Sequence, residues 1–293
     1  MLTRAALIAI LCSLTTVAAA RCAVKPIADE PLRVEALKAV FPKTAISIEI
    51  GRTINDSWGP GGYSKELSFP DALATETVYR VVGPASGRAE SCAASDVTDS
   101  SRFSDIREVR LRVFPWPASA DPNSLLAVIQ YNFPEANPPQ SCTSIARLCR
   151  LTNSHGKWRE VIGIDLDTTH HTSLQRIEMA DLAGNRCQEL LVESDWGAAG
   201  VAGSDMEIYS LARGGFDQWL NVPSRIYEPS GGDTFVQRLD LPATRRAGAR
   251  RFCFQRITFA HAGRWLARPT KTRTCFPRLT GEPVREQFSG SER

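Results

Sequence analysis

Apolar residues in this chain recur mostly at alternate positions. One early segment departs from that rule. Leu32, Val34, Leu37 and Val40 keep an approximate helical spacing, and Pro42 stops the helix they predict. Alternation begins at Ala45–Ile50 and returns at Glu76–Gly83, with a turn-rich loop from Asn55 to Ser64 between them. From Arg107 onward strand-like runs follow one another: Arg107–Phe114, Leu125–Phe133, Ser144–Thr152 and Lys157–Asp165. A second set comprises Leu174–Ala180, Glu189–Ser194, Asp205–Ala212 and Phe216–Val222. A third, shorter set comprises Thr234–Leu241, Arg251–Phe259 and Arg264–Lys271.

The three sets share a hairpin signature of strand, glycine turn, aromatic and strand. The glycines are Gly156, Gly215 and Gly263, and the aromatics after them are Trp158, Phe216 and Trp265. A glycine supplies the positive φ of a tight hairpin turn, and the aromatic covers the sheet face beside it. The expected fold is therefore mainly β, built of antiparallel four-stranded blade-like units in a partial propeller or sandwich-like arrangement. A small α+β region at 21–105 precedes a β domain at 106–278, and 279–293 reads as a flexible tail.

Composition refines the picture. The chain has 293 residues, of which 43% are hydrophobic and 23% charged, enough apolar material for a sizeable core. Its first 20 residues read as a secretory signal: Arg4, an apolar stretch from Ala5 to Val17, and small residues Ala18 and Ala20 before the expected cut. That apolar stretch is shorter than the roughly 20 residues a membrane span needs. No span is expected after cleavage, and the product is expected to be periplasmic or secreted. The formal charge is +3, and Lys and Arg are scattered except in the Arg245–Arg251 cluster, read as a solvated loop. Nothing in this pattern points to nucleic acid. Of eight cysteines, Cys12 leaves with the signal. Export permits disulfides. Cys253 and Cys275 flank one predicted hairpin and form the favoured pair, while Cys142 and Cys149 could close a short loop. Cys22, Cys92 and Cys187 remain, and the absence of a CxxC removes the zinc-ribbon and thioredoxin-type readings.

Candidate metal chemistry is confined to "DLAGNRCQELLV", which starts at Asp181. Oxygen-bearing residues at loop positions one, five and nine are Asp181, Asn185 and Glu189, and an apolar strand follows at Leu190–Val192. Alternate oxygens of a tight loop can converge on calcium. The segment resembles one degenerate FG-GAP or VCBS repeat, the unit of integrin-α-type β-propellers. The resemblance implies a calcium loop between two strands of a blade. The chain departs from the family at position three, where Ala183 has no side-chain oxygen, and at position six, where Arg186 replaces glycine. Little calcium dependence is expected, and no cofactor. Asx-type turns at Asp181 and Asn185 are expected to hold the loop instead.

Catalytic signatures are missing: there is no GxSxG and no HExxH. His170 and His171 are adjacent, so on a strand they point to opposite faces. His155 and His261 fall in predicted turns, and Ser154 with Lys157 forms an SxxK in a turn rather than at a helix start. Asp165 and Asp167 are possible acid–base groups without an identifiable partner. The reading that follows is an exported binding or structural module without chemistry, acting on an extracytoplasmic protein or glycan. The alternative is an exported hydrolase whose site is assembled from distant loops.

Overall fold

The computed structural model describes residues 24–41, 45–53, 75–82, 106–117, 123–132, 144–166, 173–184, 188–198, 201–228, 230–246 and 250–279. Helix α1 (Glu30–Val40) opens on Asp29, whose carboxylate accepts from the Leu32 N–H at 3.4 Å. Pro31 lies in the first turn, where its missing N–H costs nothing, and Lys38 lies in the last, beside the negative end of the helix dipole. Ala36, Leu37 and Val40 form its buried face.

Within each of the two sheets, every described strand pairs antiparallel with its sequence neighbours. β1 (Ala45–Thr53), β2 (Thr75–Val82), β3 (Ile106–Pro115), β4 (Ser124–Asn132), β5 (Ser144–Ser154) and β6 (Lys157–Asp165) make one six-stranded meander. β7 (Ser173–Ala180), β8 (Glu189–Ala198), β9 (Val201–Ser210), β10 (Asp217–Tyr227), β11 (Thr234–Leu239), β12 (Arg251–His261) and β13 (Arg264–Pro277) make a seven-stranded one. A short helix, α2 (Leu241–Arg246), joins β11 to β12. The protein is mainly β, with two curled antiparallel sheets and few helices. The sheets hold six and seven strands, wider than the units of four that hairpin spacing suggests. β2 pairs with β3 across the expected boundary at 105/106, so α1, β1 and β2 are continuous with the first sheet.

Alternation explains the layering. On the first sheet Val109, Leu111, Val113, Leu125, Ala127, Ile129, Cys149 and Leu151 pack with α1. Their neighbours Phe114, Leu126, Val128, Ala146, Leu148 and Ile164 pack on Met179, Leu190, Val192 and Tyr209 of the second sheet. A strand buried on both faces must be apolar at every position, which accounts for the near-continuous run in β4. Each Val, Leu, Ile, Phe or Met side chain so buried contributes about 1.5–3 kcal/mol by leaving water. The far face of the second sheet gathers Leu191, Met206, Ile208, Leu220, Val222, Phe252 and Phe254 into a third cluster, against which Leu241 of α2 packs.

Two of the three signature hairpins use the same turn. His155 and Gly156 (φ 56° and 79°) close β5–β6, and Ala262 and Gly263 (φ 48° and 73°) close β12–β13. Two successive positive φ values are those of a type I′ turn, whose twist matches the strands. The β9–β10 connection is longer, and Gly214 rather than Gly215 takes the positive φ. Phe216 then enters the core between the sheets, edge-on to Trp116 and Tyr209. Cys253 and Cys275 stand directly opposite each other on β12 and β13, with Cα atoms 4.0 Å apart, and are bonded. Cys149 is a free thiol, buried against the α1 core in the middle of β5. The expected bridge to Cys142, a residue outside the described set, is therefore not made. No described helix is long and apolar enough to cross a membrane.

Candidate functional site

The loop after β7 holds the metal candidates. Asp181 is half-buried where the strand ends, and Asn185 lies outside the described residues. Glu189, the first residue of β8, is 0% exposed. Its Oε2 accepts from the Leu182 N–H at 2.8 Å, and the Ala183 N–H lies 3.5 Å away. Leu182 anchors the turn by burying its side chain in the third cluster, and Gly184 reverses the chain at φ 75°. The glutamate thus faces backbone donors, which carry positive partial charge, where a calcium loop would face a cation. The described part of the loop does not fit calcium: one carboxylate oxygen already serves amides, and Ala183 adds none. The buried Glu189 carboxylate ties the Leu182 side of this loop to the start of β8; the Asx turn expected at Asn185 lies outside the described residues. Among the described residues no three His, Cys, Asp or Glu side chains group as a metal site.

Acid–base groups elsewhere are also held by neighbours. Arg147 on β5 is 3% exposed, and its guanidinium meets Asp165 at 2.6 Å and Glu160 at 2.7 Å. Burial opposes its charge, but the Glu160 and Asp165 carboxylates more than offset that, so the cation is retained. Burial pushes the Cys149 thiol well above its ordinary value, with Glu160 adding to the shift. Gly163 leaves room for this cluster, because a Cβ there would displace the Glu160 carboxylate and the Arg147 guanidinium. In the second sheet Ser204 donates to Asp195 (2.5 Å) and Ser224 to Glu193 (2.6 Å). Tyr209 donates its hydroxyl to Glu207, to which Gln218 also donates at 2.8 Å. Burial, then Glu207, raises the Tyr209 phenol well above its usual range. Ser204 and Ser224 are buried, so these hydroxyl–carboxylate pairs lack the access that a nucleophile needs.

The histidines divide. His155 contacts Ser154 at 3.0 Å in the β5–β6 turn, and His170 and His171 lie outside the described residues. His261 lies 2.8 Å from Asp233 at the tip of β12–β13. The Ala262 N–H, and after it His261, hold the Asp233 carboxyl below its ordinary range. The pair latches the hairpin tip to the turn before β11. Between the sheets, Arg110 and Arg112 line a small opening of about 10 Å³ with Gln130 and Leu174. Gln130 closes part of it by accepting from the Leu174 N–H at 3.1 Å.

No family model, curated protein or solved structure matches the chain.

Among the described residues, loop and motif reading passed over one exposed basic surface. β13 is the edge of its sheet, 14 residues long, and exposed along most of its length. Between Leu241 and Gly281 stand ten Lys and Arg and no Asp or Glu. Against a whole-chain charge of +3, the remainder of the protein is therefore net negative. The signal was present as this acid-free stretch, of which the Arg245–Arg251 cluster is only the first part. Arg273 reaches Asp240 (3.6 Å) and Arg278 reaches Asp217 (3.5 Å), which tie the hairpin to the body. Arg246, Arg250, Arg251, Arg264, Arg268 and Lys271 are exposed and make no ion pair among the described residues.

Proposed function

We propose that the chain works outside the cytoplasm as a binding module without chemistry of its own, and that the β12–β13 hairpin is its contact surface. The observation that carries this reading is the contrast in how polar groups are used. The carboxylates and hydroxyls suited to acid–base work are buried against each other, whereas the basic hairpin presents its side chains to solvent. The N-terminal signal pattern supplies the compartment, and an extracytoplasmic protein or glycan is the class of partner. The Asp181–Val192 segment is read as a loop of the FG-GAP kind in which buried Glu189 has taken the place of a cation.

The test has two arms. The exported protein should begin at Arg21 when its N-terminus is sequenced. The purified chain should turn over no ester, phosphoester, peptide or glycoside probe. Turnover that is lost on replacing Asp165, Glu193 or Asp195 by its amide would overturn the reading in favour of a hydrolase. An unprocessed N-terminus in the cell fraction would overturn the compartment.

A further inference from the structure

We propose that the β12–β13 hairpin, with the α2 arginines at its base, docks a polyanionic polysaccharide, a hydroxyl-rich chain bearing carboxylate, sulfate or phosphate groups. The inference rests on the binding-module reading and names the ligand class of that surface.

Charge segregation is the first support. Nine of the ten bases between Leu241 and Gly281 are Arg. Arginine's planar fork matches the paired oxygens of carboxylate, sulfate and phosphate, and its charge does not titrate. An edge strand is ordinarily protected against pairing by a lysine, a proline or a bulge. Pro269 and the bulge between Thr258 and Ala260 already do that here, so the remaining cations exceed what edge protection needs. Register places Lys271 and Arg273 on one face with Arg251, because they oppose Ile257, Gln255 and the Pro277 pair position of the same ladder. Successive same-face residues lie about 6.6 Å apart along a strand, so the cations form a track rather than a point.

The same features argue against other occupants. An extended peptide adding a strand to β13 needs a continuous row of N–H and C=O groups. The bulge leaves Leu266–Pro269 out of register, and Pro269 has no N–H, so that row is broken mid-strand. A lipid surface asks for an apolar face, yet among the described residues the exposed large apolar ones are Val161, Trp265 and Leu279, and of these only Trp265 lies on the hairpin. Trp265, 46% exposed between Arg264 and Arg268, offers a ring on which a sugar can stack, and exposed Thr270 and Thr272 add hydroxyls that donate and accept. Aromatic, hydroxyl and guanidinium together suit an anionic sugar chain. Nucleic acid shares the charge, but the exported compartment does not supply it as the regular partner.

The experiment uses the mature full chain with dextran sulfate and alginate as probes, and neutral dextran, duplex DNA and phosphatidylglycerol vesicles as comparisons. Both anionic polysaccharides should bind at low salt, and neutral dextran should not. Affinity should fall linearly with the logarithm of salt, as counterion release requires, with a slope of roughly −3 to −5 for about five neutralised charges. The double variants Arg251→Ala/Lys271→Ala and Arg264→Ala/Arg268→Ala should each lose about tenfold in affinity with unchanged melting temperature. Lys157→Ala/Arg159→Ala on the β5–β6 hairpin should bind as wild type. Trp265→Ala should weaken polysaccharide binding several-fold and leave any DNA binding unchanged. The proposal is overturned if neither anionic polysaccharide binds at low salt, if the hairpin variants match the β5–β6 control, or if DNA or vesicles bind as tightly as the polysaccharides. Loss of polysaccharide binding with no turnover in the hydrolase assay removes only the ligand class, whereas turnover removes the module reading itself.

Discussion

Replacing Glu189 separates a structural carboxylate from a metal ligand. The side chain is wholly buried at the start of β8, and its Oε2 receives the Leu182 amide at 2.8 Å. A hydrogen bond to a charged acceptor is worth about 1.5–3 kcal/mol, and the buried amide left behind carries a further desolvation penalty of about 1–3 kcal/mol. The Ala183 amide at 3.5 Å adds little. Glu189→Ala should therefore cost about 3–5 kcal/mol, and Glu189→Gln, which keeps an acceptor oxygen, only about 1–2 kcal/mol. Urea unfolding of wild type and both variants, with and without millimolar calcium, measures the difference. Amide exchange at Leu182 reports the local effect and should lose its protection only in the alanine variant. The reasoning is refuted if glutamine is as damaging as alanine, because the charge and not the acceptor would then be what the loop needs. It is equally refuted if calcium stabilises wild type by several degrees and the variants not at all.

Three further outcomes follow from buried or covalent groups. Arg147→Ala leaves Glu160 and Asp165 facing each other without a cation and should cost about 3–5 kcal/mol in urea unfolding at neutral pH. Adding Glu160→Gln and Asp165→Asn should recover part of that loss, and a cost below about 1 kcal/mol for the single change would sink the account. Reducing Cys253–Cys275 should remove about 3 kcal/mol, the chain-entropy value for a 22-residue separation, read as a lower melting temperature with reductant. Tyr79 is buried against α1, and burial, then its 3.1 Å bond to Glu30, pushes its phenol up to about 12. The fold favours the neutral phenol, so this stability is complete below the unfolded value of 10.0 and is lost as pH rises toward 12, by about 3 kcal/mol in all. Tyr79→Phe should flatten the unfolding midpoint across that window, and a variant that falls with pH as wild type does would refute the assignment.

Much of the local structure is legible along the chain. Alternation marks strands, the Asp29–Val40 pattern marks α1, and the pairing of Cys253 with Cys275 follows from two cysteines flanking one hairpin. These features depend on residues a few positions apart, where backbone geometry alone sets which side chains meet. The acid-free stretch from Leu241 to Gly281 is legible too, although it takes counting acids as well as bases to see it. Other features depended on distance in space. Alternation supplies each strand with a face to bury but does not say how many strands share a sheet, so six and seven could not be told from fours. β2 meets β3 across an intervening segment that carries no local signal of that pairing. Cys149 reads as a bridge partner by spacing, yet its place on the α1-covered face of β5 buries it in that core. Arg147 gathers Glu160 and Asp165 only because β5 and β6 turn back at Gly156, and Glu189 becomes an amide acceptor only because Leu182 is drawn into the core. Sequence by itself determined the strands, one helix and the disulfide. Tertiary packing decided which charges are buried against partners and which, on a strand at the edge of the described sheet, stay exposed to solvent.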